Sequence, residues 1–105
     1  DDSYPQEIFR KFLLRHNDRQ SKVRVASLAL SIGLNELAFS IYEPMWLADP
    51  GDKAAVDGLI QYYQLKGNYE RAMTLVNDWL GAYPSDAEMQ NKRERLASLM
   101  ENKTQ

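Results

Sequence analysis

A chain of 105 residues with 44% apolar residues and mixed charge has the size and composition of one soluble globular domain. It contains no cysteine and one histidine, which excludes disulfides, thiolate catalysis and Cys-ligated metal sites. No apolar run approaches the roughly 20 residues that span a bilayer, and the compartment stays open between cytoplasm and periplasm. Because the chain does not begin with Met, we expect a fragment of a longer or processed protein.

The net charge is only −2, but the charges are unevenly distributed along the chain. Residues 10–24 contain six Lys or Arg and one Asp, whereas residues 25–91 contain three basic and nine acidic residues. Solvated helix faces explain this pattern most simply. The alternatives are a charged partner, or copies of the chain that associate through their basic and acidic regions.

The N-terminal segment predicts an amphipathic helix that ends near His16. Ser3 and Gln6 have the spacing of a capping box, and Pro5 is tolerated in the first turn. Its apolar face comprises Ile8, Phe9, Phe12 and Leu13. A single histidine on that face, next to a helix C-terminus, is best explained as a structural residue.

A second helix is predicted to begin after Asn17 or Asp18 and to end at Gly33, which can adopt positive φ without steric cost. Its core face comprises Val25, Leu28, Ala29 and Ile32.

A third helix is predicted from about Asn35 to Ala48. Pro44 lies inside it, and because proline lacks an N–H we expect a kink or break near residues 42–43. Its inward residues are Leu37, Ala38, Ile41, Tyr42, Met45 and Trp46. Pro50 and Gly51 end the unit as a turn.

The fourth helix is predicted to follow an N-cap at Asp52 and to end at Gly67, with Tyr62 partly exposed beside a buried Tyr63. The rest of its core face comprises Val56, Leu59 and Ile60.

The fifth helix is predicted from Tyr69 to about Ala82, before Tyr83 and Pro84. It buries Ala72, Leu75, Val76, Trp79 and Leu80.

A capping box from Ser85 to Glu88 opens a sixth helix that reaches roughly Asn102. Its sparse apolar residues are Met89, Leu96, Ala97 and Met100, as expected of a terminal capping helix.

Several of these residues recur at a fixed period of 34 residues along the chain, which is the mark of a helical repeat array. The recurring residues form three pairs: Gly33 with Gly67, Ala38 with Ala72, and Pro50 with Pro84. Together they resemble the tetratricopeptide repeat family over residues 20–84. Pro44, Ile60 and Trp79 depart from the family pattern, the last two because a small residue usually stands there.

The resemblance implies an all-α, right-handed solenoid of about six helices in a single domain. Its parts would be an N-terminal helix (1–17), a first repeat (18–50), a second repeat (51–84) and a C-terminal capping helix (85–105). In the family, the small residue at the position of Ala38 lets the two helices of one repeat approach closely.

The resemblance also implies a non-catalytic scaffold that binds a protein or peptide in a concave groove formed by the first helix of each repeat. The corresponding residues here are Val23, Ser27, Leu30, Ser31, Asp57, Gln61, Gln64, Leu65, Asn91, Arg95 and Ser98. Val23 and Ser27 stand where a subset of the family carries the Lys and Asn of a carboxylate clamp, so that mode of binding is disfavoured.

No cofactor, metal site or catalytic residue is predicted. The five glycines are scattered at expected helix ends and turns, so they form no phosphate-binding loop. The alternatives to peptide binding are nucleic-acid or anionic-surface binding through the basic segment 10–24, or homo-oligomeric assembly. The acidic overall charge makes nucleic acid the weaker of these.

Overall fold

The computed structural model describes residues 4–104, which form six α-helices and no strand. The helices are α1 (Tyr4–Arg15), α2 (Arg19–Ser31), α3 (Asn35–Ala48), α4 (Lys53–Leu65), α5 (Tyr69–Ala82) and α6 (Ala87–Thr104). The predicted all-α fold is therefore confirmed. The predicted cap at Ser3 lies outside the described residues.

The helix boundaries follow the period of the sequence repeat. The helices α2, α4 and α6 begin at Arg19, Lys53 and Ala87, which are equivalent positions of successive repeats. The helices α3 and α5 are related in the same way, since both ends of α5 lie 34 residues after the corresponding ends of α3. A repeating backbone of this kind arises when each helical pair has the same start and stop signals.

Three aspartates at equivalent positions supply the start signals. Asp18, Asp52 and Asp86 lie directly before α2, α4 and α6, and each carboxylate accepts a hydrogen bond from a backbone N–H in the first turn of the helix. The donors are the N–H groups of Ser21 at 3.1 Å, Ala55 at 3.4 Å and Met89 at 3.2 Å.

The cap of α6 differs from the prediction by one position. The sequence predicted a capping box opened by Ser85, but Asp86 makes the capping bond and α6 begins at Ala87. The other carboxylate oxygen of Asp86 accepts a hydrogen bond from the indole N–H of Trp79 at 2.9 Å. One side chain therefore caps α6 and ties it to α5.

The two hairpin turns have the stop signals that the sequence predicted. Gly33 and Gly67 both have positive φ, 86° and 76°. The N–H of Leu34 donates to the carbonyl of Ala29, and the N–H of Asn68 donates to the carbonyl of Tyr63, both at 2.8 Å. This is the Schellman pattern of hydrogen bonds.

The chain forms two compact units, Asp1–Gly58 and Leu59–Gln105, and the division falls inside α4. In the first unit α2 packs against α3, and in the second α5 packs against α6. The buried apolar residues of the first unit are Val25, Ala26, Ala29, Leu30, Leu37, Ala38, Ile41, Tyr42, Ala55 and Val56. Those of the second are Leu59, Ile60, Tyr62, Ala72, Leu75, Val76, Trp79, Leu80, Met89 and Leu96.

The buried face of α2 is rotated relative to the prediction. Leu28 and Ile32 were predicted to be core residues, but more than half of each side chain is exposed. The structure instead buries Ala26 and Leu30 together with the predicted Val25 and Ala29. Small residues on this face allow α3 to approach, and Ile32 is the residue that follows the helix.

Two neighbouring tyrosines of α4 exchange their predicted roles. Tyr62 was predicted to be partly exposed but is only 7% exposed, and Tyr63 is half-buried instead of buried. The guanidinium of Arg71 lies 5.8 Å from the ring centre of Tyr63. A cation over one ring face lets Tyr63 remain near the surface.

The third helix is continuous through Pro44, so a break near residues 42–43 does not occur, and a kink there stays a prediction. Ile41 and Tyr42 are buried as predicted, while Met45 and Trp46 are half-buried.

Gly58 and Gly81 lie inside helices, whereas the sequence predicted glycines at helix ends and turns. Gly58 was expected at a helix end or turn but lies inside α4, where a Cβ atom would overlap the ring of Tyr42. The two helices of this contact approach closely because Gly58 has no side chain.

The first and last helices bury fewer of their apolar residues than predicted. In α1, Ile8 and Phe12 of the predicted apolar face are exposed. In α6, Met89 and Leu96 are fully buried as predicted, but Ala97 is exposed. Each of these helices therefore has a narrower buried face than its sequence pattern suggests.

Candidate partner-binding face

The groove residues predicted on α2 do not all face solvent. Ser27 and Ser31 are exposed and Val23 is half-buried, which agrees with a surface position. Leu30 is only 6% exposed, so it belongs to the core and not to a groove. The rotation of the buried face of α2 accounts for this correction.

The groove residues predicted on α4 fall in both units. Asp57, in the first unit, is half-buried, and its charge acts on the buried Tyr42. Burial raises the pKa of Tyr42, and the carboxylate of Asp57 raises it further, because both disfavour the phenolate. In the second unit Gln61 and Leu65 are exposed and Gln64 is half-buried.

The structure brings four of the predicted groove residues together around one cavity of the second unit. The cavity has a volume of about 720 Å³ and lies between the last turn of α4 and one side of α6. Its lining residues, which we call the α4–α6 face, are Gln64, Asn91, Glu94, Arg95, Ser98 and Leu99.

The spacing along α6 explains why these side chains share a face. Residues 91, 94, 95 and 98 stand at i, i+3, i+4 and i+7, which lie on one side of an α-helix. The core residues Met89 and Leu96 face the other way and are fully buried. Sequence reasoning missed Glu94 and Leu99, although the same helical spacing from Asn91 and Arg95 would have identified them.

The α4–α6 face has mixed hydrogen-bonding chemistry. The amides of Gln64 and Asn91 can each donate and accept, Arg95 only donates, and the carboxylate of Glu94 only accepts. Leu99 adds an exposed apolar side chain. Peptide groups next to an apolar side chain would complement such a surface, whereas the face offers no cluster of charges of one sign.

The predicted basic segment contains one residue that is already paired. The guanidinium of Arg19 makes two hydrogen bonds to the carboxylate of Asp52, at 2.7 and 2.9 Å. These bonds lower the pKa of Asp52 and raise that of Arg19, because they favour the charged forms. An anionic ligand would have to compete with Asp52 for this cation.

The single histidine lies beside an aromatic ring at the end of α1. The imidazole of His16 stacks on Phe12 with ring centres 4.5 Å apart, and both residues are exposed. The ring contact with Phe12 agrees with the predicted structural role of His16 on the apolar face of α1.

Among residues 4–104, no group of three His, Asp or Glu residues is arranged to hold a metal ion. No helix in this range is both long and apolar enough to cross a membrane.

A tetratricopeptide repeat family model matches residues 33–96, which is more than half of the chain. The chain belongs to the tetratricopeptide repeat family. The match begins at the turn of Gly33 and extends into α6, so it includes much of the α4–α6 face. No curated protein and no solved structure matches the chain significantly.

The structure shows how this tetratricopeptide repeat chain accommodates large residues at two positions that are usually small. Ile60 is fully buried, and Trp79 is buried with its indole N–H bonded to Asp86. The ring of Tyr83 lies 4.5 Å from that of Trp79. A polar partner and a ring contact make burial of the large indole favourable.

Tetratricopeptide repeats generally mediate protein–protein interaction and are typically non-catalytic scaffolds. The partner therefore has to be inferred from the chemistry of the exposed faces.

Proposed function

We propose that this chain is a non-catalytic interaction module that binds a peptide segment of a protein partner at the α4–α6 face. The observation that supports the proposal is the cavity that gathers Gln64, Asn91 and Arg95 on one surface of the second unit. In the family, the first helix of each repeat lines the binding groove. The helices α4 and α6 begin at equivalent points of successive repeats, which supports an assignment of both as first helices.

The chemistry of the face favours a peptide over other ligands. A peptide in extended conformation presents N–H and C=O groups between its side chains, and an amide side chain can pair with both. Arg95 and Glu94 have opposite charges, so they do not select a strongly charged polymer such as nucleic acid. Leu99 can contact an apolar side chain of the partner. The cavity volume lies within the range of ligand-binding clefts.

The test is selection of binding peptides from a random peptide library displayed on phage. We expect selected peptides to bind the wild-type chain and to lose roughly tenfold or more in affinity when Asn91 and Arg95 are both replaced by Ala. The matched control is Arg93→Ala, because Arg93 is an exposed residue of α6 that does not line the cavity.

Circular dichroism of the double variant establishes that α6 remains folded. Neither Asn91 nor Arg95 is buried, so the helical signal and melting temperature of the double variant should stay close to those of the wild type. Peptides that bind both proteins equally would refute the α4–α6 face as the binding surface.

A further inference from the structure

A second cavity lies in the first unit beside Pro44, the proline inside α3. It has a volume of about 440 Å³ and lies between the end of α1, the start of α2 and the second half of α3. Its apolar wall includes Leu13, Ile41 and Met45. Pro44 and Ser40 line the same cavity. We call it the Pro44 cavity.

Pro44 changes the hydrogen bonding of the helix that forms this wall. In an α-helix the carbonyl of residue 40 accepts from the N–H of residue 44, but proline has no N–H. The hydroxyl of Ser40 is already committed as a donor, since it bonds to the carbonyl of Leu37 at 2.6 Å. The hydroxyl oxygen and the carbonyl oxygen of Ser40 can therefore both accept a hydrogen bond. The carbonyl has no N–H donor at residue 44 of its own helix.

The rim of the Pro44 cavity carries balanced charges. Arg19 and Asp52 form an ion pair at 2.7 Å, so this pair contributes little net charge. Lys22 and Asp49 supply one charge of each sign. Such a rim has no preference for an anion or a cation, but Lys22 can donate hydrogen bonds.

We propose that the Pro44 cavity binds one aliphatic side chain of an extended peptide, whose own N–H donates to the carbonyl of Ser40 and whose C=O accepts from Lys22. Any residue of an extended peptide has these two groups on either side of its side chain. The carbonyl of Ser40, the apolar wall and Lys22 complement the N–H, the side chain and the C=O of such a residue. This site lies in the first unit and is independent of the α4–α6 face.

Methylation of single peptide nitrogens tests the hydrogen bond to Ser40. The probe is acetyl-Gly-Leu-Gly-amide, titrated into the isotope-labelled chain and followed by NMR shifts of Ile41, Met45 and Lys22. N-methylation of the leucine removes its donor and should weaken binding roughly three- to tenfold. N-methylation of the following glycine is the control and should have a smaller effect.

Pro44→Ala tests the same bond from the protein side. Alanine restores an N–H that can donate to the carbonyl of Ser40, so the variant should melt at a higher temperature than the wild type. The same change should weaken binding of the probe and reduce its discrimination against the N-methyl-leucine probe. A proline with only a structural role would change the melting temperature without changing that discrimination.

Two further variants test whether binding is specific to the Pro44 cavity. Lys22→Met should weaken binding of the probe severalfold, whereas Arg93→Ala, at an exposed position of α6 that lines neither cavity, should leave it unchanged. The proposal is overturned if the probe produces no saturable shifts at the three cavity residues in the low millimolar range. It is also overturned if an alanine replacement of the probe's leucine binds equally well, or if Pro44→Ala leaves probe discrimination unchanged.

Discussion

The two glycine turns, which connect α2 to α3 and α4 to α5, have similar backbones but different side-chain support. Gly33 and Gly67 both have positive φ. After them, Leu34 has φ −86° and ψ 63°, and Asn68 has φ −92° and ψ 72°. Asn68 caps α5 by accepting a hydrogen bond from the N–H of Arg71 at 3.2 Å, whereas Leu34 provides no side-chain cap to α3.

The two turns show which part of a repeat must be repeated. The positive φ is available at low cost only to glycine, and glycine stands at the same place in both repeats. A cap contributes about 1 kcal/mol, which other contacts can replace. The turn at Gly33 has the same backbone geometry as the turn at Gly67, although Leu34 provides no side-chain cap. A glycine with positive φ is therefore sufficient to form this turn.

The largest effect should come from the small residue that follows each turn. Ala38 and Ala72 are both fully buried, so Ala38→Arg or Ala72→Arg would place a charge in a packed helix contact. We expect a loss of roughly 4 kcal/mol or more in the free energy of unfolding, measured by urea denaturation. The control is Ala82→Arg, at an exposed position of α5. If either buried position tolerates arginine, the two turns do not share the same close packing.

A smaller effect should distinguish two glycines that lie inside helices. Gly58→Ala would force a methyl group against the ring of Tyr42, and we expect a net loss of about 2 kcal/mol. Gly81→Ala is the matched control, because no atom lies within 4 Å of the position its Cβ would take. That change should stabilise the chain by about 1 kcal/mol through helix propensity. Thermal unfolding of both variants tests this difference in stability. Equal shifts of the melting temperature in the two variants would contradict it.

The caps of α2 and α4 have different partners that keep them charged. Hydrogen bonds from Ser21 lower the pKa of the exposed Asp18, whereas the bonds from Arg19 lower the pKa of the buried Asp52. A lowered pKa in the folded state adds stability above the unfolded pKa of about 4, and this stability is lost as pH falls through the folded pKa. The main partner of Asp18 is therefore a serine of its own helix, whereas the main partner of Asp52 is a cation from another helix.

Arg19→Gln removes the ion pair while leaving Asp52 as a cap. Since the side chain of Arg19 is 62% exposed, we expect only a small loss of stability at neutral pH, well below that of Gly58→Ala. Chemical denaturation at a series of pH values should show this loss shrinking below about pH 4. Arg24→Gln, at an exposed position of α2, serves as the control. A loss that does not change as the carboxylates become protonated would show that the pair is not the cause.

The sequence was sufficient to predict features that depend on local chemistry. The bounds of α3 and α5 agree with the prediction at both ends, because Gly33 and Gly67 set their starts. The five core residues predicted on α5 are all buried. In these cases one residue type, or one strong periodic pattern, determines the outcome.

The sequence was not sufficient where several apolar residues compete for one face. In α2, apolar residues occupy more positions than one buried face can hold, so periodicity did not distinguish Leu28 from Leu30. In α4, the adjacent Tyr62 and Tyr63 differ in burial, and the cation that covers Tyr63 comes from the next helix. Contacts between helices decide the rotation of a helix, and therefore which predicted groove residues face solvent.

The smallest effects should come from exchanging the residues that follow the two glycines. Asn68→Leu removes the bond to Arg71 at an exposed position, so we expect a loss of about 1 kcal/mol. Leu34→Asn supplies the missing cap, since the backbone angles of residue 34 are already close to those of residue 68. It also removes a half-buried leucine, and the loss of its apolar contacts is about 1 kcal/mol as well.

These two contributions have opposite signs at residue 34, so the net change for Leu34→Asn should be within about 0.5 kcal/mol of zero. Urea denaturation of both variants and of the double exchange provides the measurement. The two turns are far apart in sequence and belong to different compact units, so the effects should add. If Leu34→Asn instead destabilises as strongly as Asn68→Leu, the backbone of the first turn does not accept a cap, and the equivalence of the two turns ends at their glycines.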